Sequence, residues 1–455
     1  MNKTVINRIL IVLFLLICLI PSLGMLVFGE SEASANEVLA KFPSFLDKSG
    51  KPDSAYLTKI SDWASDRFAF RQEMITAWSG LNSTLFGTSV EDKVIIGKTG
   101  WLYYSETLND YTGAGLEEAK LEAVARNLSL MQEYSESKGA KFLFTIAPNK
   151  NSIYPGHMPD YIPHGYAEGN AERLEPFIHK YDVKYADLFS ALSEKDEILY
   201  FKTDSHWDSK GAALAADVIL TGLGRESSFY PSVFIDGEEH TGDLYEMLFP
   251  AGKFTETDRK YAPGFSYTTA KDPNGGNAVN IESSAEEGTG SLICWRDSFG
   301  VSLYPYLAES FHDARFSRSV TYDLIRLEQE ETDAVVIELV ERNIGYLLEY
   351  MPLYLAPERD MPAVKDELPP LKISAEQGKT SASSGLVLLQ CEIPEEYAEN
   401  TREVFFLFSG RCYEAALLYP DGTGPVASAW VNASGYGNVS VVFGNGGEYY
   451  LSAAA

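Results

Sequence analysis

Asp204 and His206 stand two residues apart in Thr203-Asp204-Ser205-His206-Trp207, and about ninety residues later Ser298 stands in Arg296-Asp297-Ser298-Phe299-Gly300. These are the side-chain types of a nucleophilic relay. A serine hydroxyl is a weak nucleophile until a base takes its proton, and an imidazole serves as that base when a carboxylate fixes its tautomer. On a loop, Asp204 and His206 can face one direction, which suits His206 to the role of general base and Asp204 to that of orienting acid. Ser298 suits the nucleophile. It follows Leu292-Ile293-Cys294-Trp295, which reads as a buried strand, and precedes a helical pattern. Such a turn exposes a hydroxyl and presents helix N–H groups able to stabilise an oxyanion. Each segment also has an ordinary reading, Asp204 as the cap of the helix before Lys210 and Asp297 or Ser298 as an N-cap. A metal on Asp204 and His206 needs further ligands, and His157, His164, His179, His240 and His312 show no supporting spacing. No metal and no soluble cofactor is expected.

The elements that must position these residues alternate. Residues 141–147 (KFLFTIA), 183–188, 291–295, 314–319 and 334–339 (AVVIEL) read as strands, and 172–181, 210–223 and 301–310 as helices. That alternation predicts a parallel α/β sheet covered on both faces, with ligands at the C-terminal strand ends. Asn149 and Lys150 then follow a strand and either line the cleft or satisfy the turn. Glu338, Glu341, Arg342 and Asn343 follow another strand and fall at the rim. Residues 93–104 read as a hairpin about Lys98-Thr99-Gly100, 117–138 as a helix ended by Gly139, and 55–64 as an amphipathic helix before a second one. The tract 224–290 is glycine-rich and shows no period. Proline and charge rise together over 357–370, a linker composition, and beyond it short strand-like runs predict a small β-sandwich. The expected division is 1–35 membrane anchor or signal, 36–357 the α/β unit, 358–370 linker and 371–455 β-sandwich.

The 455 residues carry 65 Asp plus Glu against 37 Lys plus Arg, a formal charge of −28, which excludes nucleic acid and disfavours long polyanions as partners. Residues 9–28 are almost wholly apolar, long enough to cross a bilayer. Lys3 and Arg8 precede them while Glu30 and Glu32 follow, so everything after Gly29 is expected outside the cytoplasm. Ala33-Ser34-Ala35 resembles a signal cleavage site, but the apolar run exceeds the ~7–15 residues of a signal core, which favours a retained anchor. Cys294 reads as a small buried hydrophobe. Cys391 and Cys412 lie on nearby strand-like runs and could pair.

Five motifs in order resemble one family. Asp-Ser-His-Trp (204–207), the strand ending in Arg-Asp-Ser-Phe-Gly, Gly-Lys-Thr-Gly-Trp-Leu-Tyr-Tyr (97–104), Ala-Pro-Asn-Lys-Asn-Ser-Ile-Tyr-Pro (147–155) and Asp-Arg-Phe-Ala-Phe-Arg (66–71) look like the AlgJ/AlgX-like SGNH hydrolase-like proteins of bacterial polysaccharide O-acetylation, DHHW relatives included. The resemblance covers roughly residues 42–343. It implies a flavodoxin-like α/β/α sandwich whose Asp-x-His precedes the serine, preceded by a transmembrane helix and followed by a β-sandwich that resembles the carbohydrate-binding module of some relatives. Carried over, Ser298 takes the acetyl group, His206 is the base and Asp204 its orienting acid, while Tyr304 falls where the family keeps a tyrosine. Arg296 stands where many SGNH enzymes have glycine, and it either points into the site or makes a surface ion pair. Trp207 packs against a sugar or in the core, and Tyr419, Trp430 and Tyr436 are open to either fate in the C-terminal domain. The implied activity is O-acetyl transfer to an exported or cell-surface polysaccharide, with a membrane-bound O-acyltransferase (MBOAT) as donor partner. A carbohydrate acetylesterase would use the same three residues with water as acceptor, and a non-catalytic polysaccharide-binding or assembly protein would keep the fold without turnover.

Overall fold

The computed structural model describes residues 3–31, 39–165, 168–271, 277–380, 383–398, 400–420, 422–432, 439–445 and 447–454; Ala33-Ser34-Ala35 and Tyr436 lie outside them. The alternating pattern folds into a seven-stranded sheet built from β1 (Lys141–Ala147), β2 (Tyr185–Ala186), β3 (Thr268–Lys271), β4 (Asn280–Ser284), β5 (Ser291–Trp295), β6 (Asp313–Ser317) and β7 (Ala334–Val340), in spatial order β2-β1-β7-β5-β6-β4-β3. From β2 to β6 the neighbours run parallel, and β4 and β3 extend that edge antiparallel. Counting the parallel strands from β5 through β6, β7, β1 and β2 turns the order into 2-1-3-4-5, the flavodoxin-like arrangement, so the chain is a circular permutation of it. The serine then follows the first strand and the Asp-x-His pair follows the last.

Because successive strand residues face opposite ways, β1 and β7 send Phe142, Phe144, Ile146, Val335, Ile337 and Leu339 to one face and Leu143, Ala147, Val336 and Val340 to the other. Helix α1 (Glu118–Ser137) covers the first face with Leu121, Val124, Leu128 and Met131, a helical stripe of fully buried residues. Helices α2 (Ser209–Gly222) and α3 (Gly300–Ser310) cover the second, and the alanines 212, 213, 215 and 216 of α2 are buried there. The result is an α/β/α sandwich.

Two stretches differ from expectation. The tract 224–290 is structured: Phe234–His240 pairs with Glu256–Tyr261 in a hairpin, Asp243–Leu248 is a short helix, and β3 and β4 join the main sheet. Its polar strands are half-exposed edges, which leave no apolar period to read. Residues 358–370, expected as linker, enter a nine-stranded sheet as Glu358–Arg359 and Val364–Leu371. Among the described residues Val364–Leu371 pairs on one side only, with Glu448–Ala454, and such an edge tolerates its Pro369 and Pro370.

Within the C-terminal sheet, Arg411–Leu418 runs beside Thr401–Phe408 through residue 415 and beside Val426–Asn432 from residue 416, so the strand path turns there and closes over Val387, Leu389, Phe406, Val431, Val441 and Phe443. Cys391 faces this core while Cys412 joins a separate cluster with Phe405 and Val442; the two thiols are free and buried on different sides. Helix α1 lies between the two sheets. Its Arg126 Nε donates to Glu414 Oε1 at 2.7 Å, Arg359 Nε donates to Glu414 Oε2 at 2.8 Å, and Asn127 bonds Leu417 through both its amide N and its O. Tyr419 and Trp430 are partly buried and pack against this shared core.

At the other end, Lys3–Phe28 is one helix, with Val5–Met25 long and apolar enough to cross a membrane. Such a helix suits a membrane anchor or a signal sequence. Helices Tyr56–Arg67 and Arg71–Phe86 follow, and Phe70 between them meets Phe28 with ring centroids 5.3 Å apart.

Candidate active site

The three residues read from the sequence converge at the C-terminal edge of the parallel sheet. His206 Nε2 lies 2.8 Å from Ser298 Oγ, and His206 Nδ1 lies 2.7 Å from Asp204 Oδ1. Asp204 is 3 % exposed, whereas Ser298 and His206 are half-buried, so the reacting end is open and the orienting end is shut. Asp204 is no helix cap. That role falls to Asp208, whose Oδ1 accepts the Gly211 N–H at 2.8 Å.

The turn that presents Ser298 is fixed from below. Asp297 Oδ1 accepts the Phe299 N–H at 2.9 Å, its Oδ2 accepts the Val340 N–H at 2.7 Å, and its own N–H donates to Glu338 Oε2 at 3.1 Å. Asp297 therefore ties the end of β5 to the end of β7. A Cβ at Gly300 would lie 2.3 Å from Arg296 Cδ, so only glycine lets α3 start this close to the strand end. Arg296 is buried at 3 % exposure and donates to the carbonyls of Asp297 and Ala278 at 3.1 and 3.2 Å. Its guanidinium is thus buried beneath the serine turn.

The loop carrying Asp204 and His206 is held by residues from four other segments. Lys150 Nζ donates to the carbonyls of Phe201, Lys202 and Asp204 at 3.2, 2.9 and 2.5 Å and lies over the rings of Trp101 and Tyr103. Glu256 accepts from the N–H groups of Lys202 and Thr203 at 2.9 and 2.8 Å. Asp243 accepts from the Ser205 N–H at 2.8 Å and its hydroxyl at 2.6 Å, and its own N–H donates to Asp204 Oδ2 at 2.9 Å. The approach of that segment needs Gly242, where a Cβ would lie 2.2 Å from the Thr203 carbonyl oxygen. His240 Nε2 lies 2.8 Å from Asp204 Oδ2, with its ring stacked on Phe201. Trp207 is fully buried, and its Nε1–H donates to the Phe299 carbonyl at 3.1 Å, stitching the histidine loop to the serine turn rather than facing a sugar.

Of the other residues singled out, Asn149 is buried, its amide donating to Asp110 Oδ2 at 3.2 Å and its N–H to Glu341 Oε2 at 2.9 Å. Tyr304 is buried, with its hydroxyl 3.3 Å from that of Tyr267 and its ring against Phe316. Arg342 lies over the rings of Tyr104 and Phe299 at 5.3 and 5.7 Å. Asn343 Nδ2 donates to Asp297 Oδ2 at 3.3 Å. Asp243, His240 and Glu256 were missed from the sequence; their tract lacks a period, and His240 in Glu238-Glu239-His240 reads as solvated surface.

Burial opposes the charged forms of His206, Asp204, Asp243, Lys150 and Glu341, and the partners reverse it at His206 and Asp204. His206 is pushed down by burial, but Asp204 and then Asp243 more than offset this and its pKa is raised, Arg342 acting the other way. Burial would lift Asp204, yet His206 and His240 hold it well below the usual carboxylate range. Asp243 is raised by burial and by Asp204. Burial brings Lys150 down to about 8 despite Asp204, Asp243 and Glu256. Burial and Asp110 push Glu341 up to about 8. An ionised Asp204 with its proton-bearing neighbour at Nδ1 leaves His206 Nε2 as the acceptor for the Ser298 proton, the arrangement nucleophilic catalysis requires. Ligand atoms of Asp204, His206 and Asp243 also lie within 4.8 Å of one another, as a cation site would have them. Those atoms already bond one another and Ser205, so the group is satisfied as a relay.

Residues 94–273 match the family described as SGNH hydrolase-like domain, acetyltransferase AlgX. That span contains Asp204 and His206 and stops short of Ser298. The probable alginate O-acetylase AlgJ of Pseudomonas syringae pv. tomato is 25% identical over 194 residues, 40% of this chain and 48% of the relative. The chain thus spans about half the length of the curated relatives it matches. Among solved structures, Bacillus cereus PatB1 with a sulfonyl adduct is 17% identical at a TM-score of 0.43, covering 55% of this chain and 97% of that one. The O-acetyltransferase domain of Pseudomonas putida AlgJ is 14% identical at a TM-score of 0.40, covering 56% and 93%. A DHHW family protein from Eubacterium siraeum is 16% identical at 0.41, covering 51% and 90%. The chain resembles the AlgJ/AlgX-like SGNH hydrolase-like proteins, as its motifs imply.

Proposed function

We propose that this chain is an extracytoplasmic O-acetyltransferase that moves an acetyl group through an ester on Ser298 to hydroxyls of an exported or cell-surface polysaccharide. The observation that carries the reading is the unbroken Ser298–His206–Asp204 chain, with 2.8 and 2.7 Å contacts and the serine partly exposed. The similarity to acetyltransferase AlgX and to alginate O-acetylases supports acetyl as the group and a polysaccharide as the acceptor.

In the first step Ser298 Oγ attacks the carbonyl carbon of an acetyl donor while His206 Nε2 takes its proton. Arg342, the cation facing His206, is suited to meet the negative charge on the carbonyl oxygen, since the Phe299 N–H is already taken by Asp297. The donor's leaving group departs with the proton from His206, and the acetyl ester remains on Ser298. An acceptor hydroxyl then gives its proton to His206, attacks the ester carbonyl, and Ser298 recovers its proton as the acetylated sugar leaves. Asp204 keeps the Nδ1 proton in place throughout. A membrane-bound O-acyltransferase is the donor partner in this reading, and a retained Lys3–Phe28 helix would hold the domain beside it.

The test incubates the full chain in detergent with a chromogenic acetyl ester, wild type against Ser298→Ala. Release of chromophore is expected from wild type only, and equal rates would remove Ser298 from the reaction. With an oligosaccharide acceptor added, mass spectrometry should find a gain of acetyl on the sugar. Free acetate with unmodified sugar would assign hydrolysis instead.

A further inference from the structure

We infer that His240 is a positioning residue of the same relay, a second imidazole on the catalytic carboxylate; the inference rests on the acyl-transfer reading for its role, though not for its test. Asp204 offers two oxygens. Oδ1 takes His206 through its backbone N–H at 2.9 Å and through Nδ1 at 2.7 Å, and Oδ2 takes the Asp243 N–H at 2.9 Å and His240 Nε2 at 2.8 Å. One carboxylate thus carries two imidazoles, one on each oxygen. With Oδ2 occupied by a ring, Asp204 cannot rotate away from His206, and the proton on His206 Nδ1 keeps its acceptor.

His240 differs from His206 in access. Its side chain is 37 % exposed, against 23 % for His206 and 5 % for Asp204, so its charge follows the solvent while it stays stacked on Phe201 at a centroid distance of 4.3 Å. The groups facing it are Asp204, Asp243 and Glu246 from the short helix after it, and Asp258 from the opposite hairpin strand. These facing groups are all acids, and together they outweigh burial, which disfavours the charge. Two bases bound to one acid titrate as a coupled pair, each proton making the second harder to add. The relay therefore senses pH through two imidazoles, of which only His206 touches the nucleophile.

The test uses the full chain in detergent with histidines isotope-labelled at the ring; six histidines give six resonances to assign. In the Ser298→Ala background, which needs no turnover, the His206 signal should titrate in two steps separated by roughly half to one pH unit or more. In Ser298→Ala with His240→Gln, whose amide keeps a donor for Asp204 and loses the charge, it should titrate in one. In otherwise wild-type chain, His240→Ala should lower kcat on the acetyl ester about tenfold, and His240→Gln should stay within about threefold of wild type, since one well-placed hydrogen bond to an ionised group is at stake. A single-step His206 titration unchanged by His240→Gln, or equal kcat in the alanine and glutamine variants, would overturn the inference. If Ser298→Ala retains esterase activity, the acyl-enzyme reading fails while the titration still decides the role of His240.

Discussion

Replacing Lys150 with methionine separates holding the catalytic loop from holding the fold. The ammonium is buried and gives its three protons to the carbonyls of Phe201, Lys202 and Asp204, the last being the backbone of the orienting acid itself. Methionine keeps the length and apolar bulk between Trp101 and Tyr103 while removing every donor. Stability has two opposing parts. Carbonyls left without a donor cost about 1–3 kcal/mol each, chiefly at the buried Phe201 and Asp204 groups. Against this, the charge no longer has to be buried: the descent of Lys150 from 10.5 to about 8 corresponds to about 3 kcal/mol held against the charged form. The two nearly cancel, and Lys150→Met should unfold within about 2 kcal/mol of wild type at pH 7. Activity has no such offset. With Asp204 free to shift, about 1 Å of misplacement is enough to lower kcat on a chromogenic acetyl ester about 100-fold. The sign with pH follows from the lowered pKa. The folded state releases the proton more readily, so its relative stability is full above 10.5 and lost as pH falls through about 8. The stability of wild type minus that of Lys150→Met should therefore rise between pH 8 and 10.5. Denaturant unfolding at pH 7, 8 and 10 beside ester kinetics checks both parts. A variant with kcat within threefold of wild type and a lowered unfolding midpoint would make Lys150 a stabiliser only and refute the positioning argument.

Two further substitutions probe the relay and the junction. Asp204→Asn keeps the shape but turns an NH2 group toward two of the four N–H donors aimed at the carboxylate, so ester hydrolysis should fall about 1,000-fold or more from loss of the correct imidazole tautomer; a fall below tenfold in a folded variant would show that Asp204 does not set the tautomer. Glu414→Gln should lower the unfolding free energy from denaturant titration by about 2 kcal/mol, less than the ~3–5 of a fully buried pair because Arg126 and Arg359 keep solvent contact. Its ester kinetics per folded molecule should match wild type, and a changed KM would mean that the C-terminal sheet acts on the site.

The three relay residues proposed here and the sheet that carries them were legible because their signals are local. The core strands at 141–147, 291–295 and 334–340 are short apolar runs, and a strand-to-helix turn and an Asp-x-His pair announce themselves by residue type, which is how Ser298, His206 and Asp204 could be singled out in advance. The same residues could not reveal what surrounds them. Trp207, Arg296 and Tyr304 are each adjacent in sequence to the chemistry, and all three are buried facing carbonyls or other rings, because which way a side chain turns depends on the layer packed against it. Residues 358–370 have the composition of a linker, and 364–370 are strand because an edge of the C-terminal sheet has a side open to a proline-bearing segment.

By itself the sequence determined an acidic chain with an apolar N-terminal helix, an alternating α/β sheet, a β-rich C-terminal region and three residues able to form a relay. Only the tertiary structure decided that the sheet is permuted so that the serine strand and the Asp-x-His loop meet at 2.8 Å, and that Lys150, Glu256, Asp243 and His240 hold that loop. Hydrophobic periodicity is written in neighbours along the chain, whereas the hydrogen bonds that fix a catalytic loop join residues 36 to 54 positions apart and leave no period to read.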